Sequence, residues 1–303
     1  MENNVYIRSN RSIMSISLTR LAMILPLIIY GIYKNGIYLY RNHLVGTIGM
    51  LKPLIIILGG ALIAAIINYV YERLIRKQNN NILDMLFSSF HIEYAILLGC
   101  IMSINVNLWI YFAILTILLV ISKFIGDKAN TICLIFLVIY VVSSFMGDFE
   151  FANIYETSKT FSYELIDYLI GRNPGGIAST HIILLVAALI GLSITNNNKS
   201  MISLTSILTY IFIMFIYALI THNNYMNIIT CNNFLFIASF IATDSVTSCY
   251  TTRAMVISGL LIGLLSFGIY FIDPIIAPII AVLLTSVFTR IMDEKIYLLT
   301  KNK

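Results

Sequence analysis

The chain has 303 residues, 59% hydrophobic and only 11% charged, with a net charge of +5. A soluble domain is nearer half apolar and a quarter charged, so composition excludes one. Apolar runs of about 18 residues or more recur, each long enough to cross about 30 Å of hydrocarbon as a helix, and they lack the alternation of membrane strands. The partner implied is therefore a lipid bilayer, with the positive excess in its loops, and no nucleic acid is called for. The fold class is an all-α polytopic membrane protein.

In chain order, residues 1–17 are polar, carry Arg8 and Arg11, and read as a cytoplasmic lead-in. Apolar spans follow at 18–33, 53–71, 91–105, 107–122, 130–146, 177–194, 202–220, 233–243, 254–272 and 274–291. No small-residue cleavage site follows the first, so it reads as a retained span. About ten transmembrane helices fall into two five-helix units, 18–146 and 176–292, joined by the polar segment 147–175 and closed by a tail at 293–303. The third and eighth spans are short, and each is third in its unit. Short segments at matching places predict an inverted repeat whose broken helices meet near the midplane.

Fourteen of the 19 Lys and Arg fall on the side of the termini, among them Arg20, Arg73, Arg76 and Arg290. The other side holds Lys34, Arg41, Lys52, Lys159 and Arg172. The positive-inside rule then puts both termini in the cytoplasm of a multi-pass plasma-membrane protein, with 147–175 outside.

Few motifs carry chemistry. Cys100, Cys133, Cys231 and Cys249 form no CxxC pair. Cys231 and Cys249 flank one short span and so face opposite sides; all four read as buried small hydrophobes. The four His are scattered, which argues against a metal centre. Neither GxSxG nor HExxH occurs. Gly171-Arg172-Asn173-Pro174-Gly175-Gly176 could offer backbone N–H groups to a phosphate or could be a turn into the next helix. It lacks the Lys-Ser/Thr of a P-loop. Ala242-Thr243-Asp244-Ser245 ends an apolar run with a carboxylate and hydroxyls, a pattern that caps a helix or holds a ligand at membrane depth.

These residues, in this order, resemble the RnfD/NqrB family, the flavin-bearing membrane subunit of ion-translocating electron transport complexes, with RnfD nearer in length. Tyr6-Ile7-Arg8-Ser9 is similar to the family's "HIRS", and Leu98-Gly99 through Ile104-Asn105 to its "TGLLLALNLP". Gly171–Ile177 is similar to "GNIPGSIGETS", and Phe240–Ser248 to "FFMATDPVTSP". In that family a threonine in an outward segment, within approximately D-x-x-S-G-A-T, carries FMN through a phosphoester bond. The matching stretch here is Ile154-Tyr155-Glu156-Thr157-Ser158-Lys159-Thr160.

The resemblance implies FMN, covalent at Thr160 or else Thr157, with riboflavin as a further cofactor. It implies cofactor contacts from Gly175, Gly176, Thr243 and Asp244. Lys159 and Arg172 would supply positive charge beside the flavin phosphate. The sequence departs from the family where Ser158-Lys159 replaces Gly-Ala, where the Glu of "GETS" is lost, and where Ser245 and Cys249 replace two prolines.

The chain has no NAD-binding or iron–sulfur signature, so it would act as a non-autonomous redox subunit. Its partners would be other membrane and peripheral subunits and a flavin transferase. The alternative is a small-solute transporter or channel of the same repeat architecture.

Overall fold

The structure is a computed structural model and describes residues 12–77, 81–126, 129–147, 149–151, 164–195, 199–221 and 233–301. Every regular element among them is helical. Ten apolar helices match the ten expected spans in order.

The first, α1 (Ile13–Arg41), starts where Ser12 Oγ accepts the Ser15 N–H at 3.1 Å, and it contains Pro26. It runs on through a π-helical stretch, Tyr33–Tyr38. Lys34 and Arg41, expected in a loop, therefore belong to the last turns of a helix. The second is α2 (Thr47–Ile75), followed by a short turn at Ile82–Leu86. Next come α3 (His91–Ile101), α4 (Leu108–Ile125) and α5 (Thr131–Phe145). The side chains of Asn107 and Asn130 cap α4 and α5, each satisfying a free N–H of the first turn.

In the second half lie α6 (Ile182–Ile194) and α7 (Ser200–Thr221). The eighth, α8, is Phe234–Phe236 running into a π-helical turn, Ile237–Ile241. The last two are α9 (Thr252–Tyr270) and α10 (Ala277–Lys301). Several boundaries differ from expectation by a few residues, and three of the differences have a consequence for the fold. Helix α6 begins at Ile182 rather than 177, because the N–H groups of Ile177 and Ala178 are drawn to Met102 O and Cys100 O. Helix α1 begins at Ile13, inside the expected lead-in. Helix α10 runs to Lys301, through the expected tail.

The two short helices form the core. At 1.5 Å per residue the 11 residues of α3 rise about 16 Å, half a bilayer. Nearly all of α3 and the whole π-helical turn of α8 are buried. The longer helices wrap them, showing Leu, Ile and Phe outward, as lipid requires. Helix α1 packs on α6 and α5 on α10, so equivalent helices of the two halves face each other. Helices α7 and α9 cross closely over Gly259 and Gly263. A Cβ on Gly263 would stand 2.8 Å from Thr209 Cβ, the small-residue contact by which membrane helices approach.

Candidate functional site

A half-helix inside a membrane leaves its last carbonyls without partners, and water cannot supply them. The fold has two such ends, on opposite sides of the core.

At the end of α8 the closure is charged. Arg20, on α1, donates from Nη2 to Phe240 O. Its Nη1 pairs with Glu93 Oε1 of α3 at 2.8 Å, and the two side chains are 1% and 0% exposed. Beside the pair, Tyr94 Oη donates to Asp244 Oδ1 at 3.0 Å. Asp244 Oδ2 accepts the Thr247 N–H at 3.0 Å and the Thr247 hydroxyl at 2.8 Å. Asn130, at the start of α5, donates from Nδ2 to Ile241 O at 3.0 Å. Of the two positions expected to contact a cofactor, Asp244 organises the turn after α8, and Thr243 Oγ1 donates back to Ser239 O within the same segment.

Apart from the ion pair and the bond to Phe240 O, Arg20 Nε has no hydrogen-bond acceptor. Ser17, also buried, is the hydroxyl that hydrogen-bonds Glu93. An ionisable pair at this depth, with hydrogen-bonding capacity left over, is a functional signal.

At the end of α3 the closure is neutral. Asn233 donates from Nδ2 to Ile101 O at 3.1 Å. Its Oδ1 accepts the Gly176 N–H at 2.9 Å and the Ser179 hydroxyl. With Ile177 and Ala178 donating to Met102 O and Cys100 O, the turn after Pro174 spends these N–H groups on α3. Of the two readings of this turn, the structure thus favours a turn into α6 over a phosphate cradle. A Cβ on Gly176 would stand 2.6 Å from Ile101 O, so the backbones meet only because the residue is glycine. Gly175 lies against Thr180. Lys34 is 1% exposed and donates to Asn173 O at 2.6 Å and Thr180 Oγ1 at 3.1 Å. Arg172 pairs with Asp167 at 3.0 Å and is half exposed.

The polar segment is rooted at this same end. Glu150 O accepts from Ser103 Oγ and, at 3.2 Å, from Asn105 Nδ2, in the loop after α3. Phe149 meets Tyr140 edge-on at 4.8 Å and lies 5.8 Å from the rings of Phe136 and Phe151. Thr157, Thr160 and Lys159 lie outside the described residues, as does Cys231. Cys100, Cys133 and Cys249 are buried free thiols, as expected. Among the described residues no three His, Cys, Asp or Glu converge on a metal-sized site.

Sequence reading missed three residues. Arg20 lies inside the expected span 18–33 but is counted with the charges of the cytoplasmic side, and Lys34 with the outward ones; both are buried in an apolar helix. The available signal was position, since each lies within a turn or two of an uninterrupted apolar run. His91 was noted only as a poor metal ligand. It is 2% exposed, and its ring nitrogens contact Ser89 Oγ (2.7 Å), Asn68 Oδ1 (3.1 Å) and Ser122 Oγ (2.8 Å), tying α2, α3 and α4 together.

Comparison with known proteins agrees with this architecture. A profile described as the NQR2, RnfD, RnfE family matches residues 1–298. A search of curated proteins finds no match.

Proposed function

Because the chain belongs to the NQR2, RnfD, RnfE family, we propose that it carries FMN on its outer face, on the threonines of 157–160, and relays electrons between partner subunits. Membership makes it a membrane subunit of an ion-translocating electron transport complex, associated with other subunits of that complex. The flavin and its attachment are the further step, and a flavin transferase is the partner that step requires.

The observation that carries this reading is the root of the segment. Residues 149–151 are held to the loop after α3, and their rings join Tyr140 and Phe136 in an aromatic patch. Phe136 and Phe149 are buried, so the half-buried Tyr140 and Phe151 are the rings beside which a planar ring system would stand. A bound flavin would take up two electrons and release them singly; the protein supplies position and electrostatics. Here the chain's part is to hold the segment's root rigidly against α3. Arg172 is engaged by Asp167, so it brings less positive charge to a flavin phosphate than a free guanidinium would. The fourteen-to-five split of Lys and Arg supports cytoplasmic termini and an outward 147–175.

Side chains and backbone close the carbonyl ends of both half-helices, which counts against the solute-channel alternative. The test is intact and peptide mass spectrometry of native protein made together with its flavin transferase. An FMN-sized addition on the peptide containing Thr157–Thr160, lost in Thr160→Ala or Thr157→Ala, is the expected result. An unmodified peptide beside an active transferase would sink covalent attachment.

A further inference from the structure

Helix α6 leans on α1 and meets α7 only lightly, while α7 packs on α9. Between α6 and α7 lies a groove of about 690 Å³, with Leu235 and Ser239 of the buried α8 lining it as well. Packed protein leaves few voids larger than a water molecule, so a space of this size is filled from outside the chain.

The groove has a definite length. It follows α6 from Ile182 to Ile194 and α7 from Ser200 to Ile211. At 1.5 Å per residue those stretches rise about 18 Å and about 17 Å. One leaflet is half of the hydrocarbon thickness, about 15 Å. Helix α7 continues past Ile211 to Thr221, and that part lines no wall of the groove. A partner's transmembrane helix would need a furrow through both leaflets. This furrow has the length of an acyl chain from one.

The groove also has a polar end. Ser193, Ser200 and Ser203 lie where α6 ends and α7 begins; beyond them every residue of α6 and α7 on the walls is Leu, Ile or Val. Ser193 Oγ donates to Leu189 O at 2.9 Å. Ser203 differs: it is 1% exposed, and its Oγ has no hydrogen-bond partner in the chain. A buried hydroxyl is costly without a partner, and hydrocarbon supplies none. An ester or phosphate oxygen at this end of the groove would accept its hydrogen. The first turn of α7, with its free N–H groups and the positive end of the helix dipole, lies at the same end. Lys199 precedes that turn and adds a full positive charge, held by donation to Ser248 O at 2.8 Å and by the Tyr250 ring at 3.8 Å.

We propose that this groove holds one phospholipid of the leaflet on the Lys199 side. An acyl chain lies between α6 and α7, and the ester and phosphate oxygens meet Ser203 and the first turn of α7. By the split of Lys and Arg that leaflet is the cytoplasmic one. The lipid completes the packing over α8 that α6 and α7 leave open. The inference needs neither the flavin nor a coupling ion.

Native mass spectrometry of the full chain tests it, after delipidation and titration with phosphatidylglycerol, phosphatidylethanolamine or a diacylglycerol of the same chains. We expect one phospholipid retained per chain, and the diacylglycerol, which lacks the phosphate, held about tenfold more weakly. Leu208→Trp fills the groove from an exposed position and should abolish retention. Leu219→Trp, exposed on the same helix beyond the groove, should leave it unchanged. Ser203→Ala removes one hydrogen bond and should weaken retention about tenfold. No stoichiometric lipid on folded wild-type protein overturns the proposal. Retention unmoved by Leu208→Trp and Ser203→Ala places the lipid elsewhere, and equal retention of the diacylglycerol removes the phosphate contact; each overturns it too. Should Leu208→Trp fail to fold, Ser203→Ala against Leu219→Trp decides. In the assembled complex, a photo-crosslinking residue in place of Leu208 should capture lipid. Capture of a neighbouring subunit would mean that a partner helix fills the groove, and would overturn the proposal.

Discussion

The two half-helix ends face one problem and solve it differently. At the end of α3 the orphan carbonyls meet neutral donors: the Asn233 amide and the N–H groups of Ile177 and Ala178. At the end of α8 they meet the Asn130 amide and the Arg20 guanidinium, the latter tied to Glu93. A neutral closure fixes backbone with no charge to desolvate. A charged closure costs desolvation of both ions, which attraction repays only when geometry and further hydrogen bonds are good. Here Ser17 supports Glu93, and Arg20 Nε has no acceptor. The α3 end is thus built for permanence, and it roots the polar segment. The α8 end instead buries an ion pair beside the Asp244 carboxylate.

The largest expected effect breaks the charged end. Arg20→Met leaves Glu93 buried without its partner, and removing one member of such a pair costs about 3–5 kcal/mol. Denaturation of the detergent-solubilised protein measures it. The double variant Arg20→Met/Glu93→Leu should recover most of the loss, because the pair's net worth is small once both ions are gone. Should the double variant be no more stable than the single, the hydrogen bond to Phe240 O would be what matters, and the contrast between the two ends would shrink to one of geometry.

The neutral end should yield less. Asn233 has φ +60°, a left-handed conformation that Asn and Gly accept more readily than Ala. Asn233→Gly removes the amide without backbone strain and strands Ile101 O and the Gly176 N–H, at about 1–3 kcal/mol. Asn233→Ala should lose about 1–2 kcal/mol more from the strained φ. Equal losses in the two variants would mean that the backbone conformation contributes nothing.

Much of the fold was legible because hydrophobic length is a one-dimensional signal. Ten apolar runs gave ten helices, and the two short ones proved to be the two buried at the centre. Asp244 was legible too, since a carboxylate ending an apolar run has few roles. Arg20 and Lys34 were not, for the same physical reason that made the spans easy. Lys34 stands just past the expected end of the first span, where only packing reveals that the helix continues; Arg20 stands near the start of the same span, where only packing reveals that its charge is buried. The partner of Arg20 lies 73 residues away in Glu93 and that of Lys34 in a turn beyond residue 170, separations at which no local pattern reports contact.

The smallest expected effect concerns Arg172, where the sequence suggested a partner for a flavin phosphate. Its guanidinium is half exposed and tied to Asp167, whose side chain also accepts the Glu164 N–H at the start of the turn Leu165–Ile170. An exposed pair of this kind contributes about 0.2–1 kcal/mol, and solvent and salt screen it. Arg172→Ala should therefore change stability by less than about 1 kcal/mol and leave the peptide mass at 157–160 as in wild type. A large loss of flavin in this variant with stability intact would return Arg172 to the cofactor. It would also mean that the α3 end, neutral in its helix closure, uses charge one turn further out.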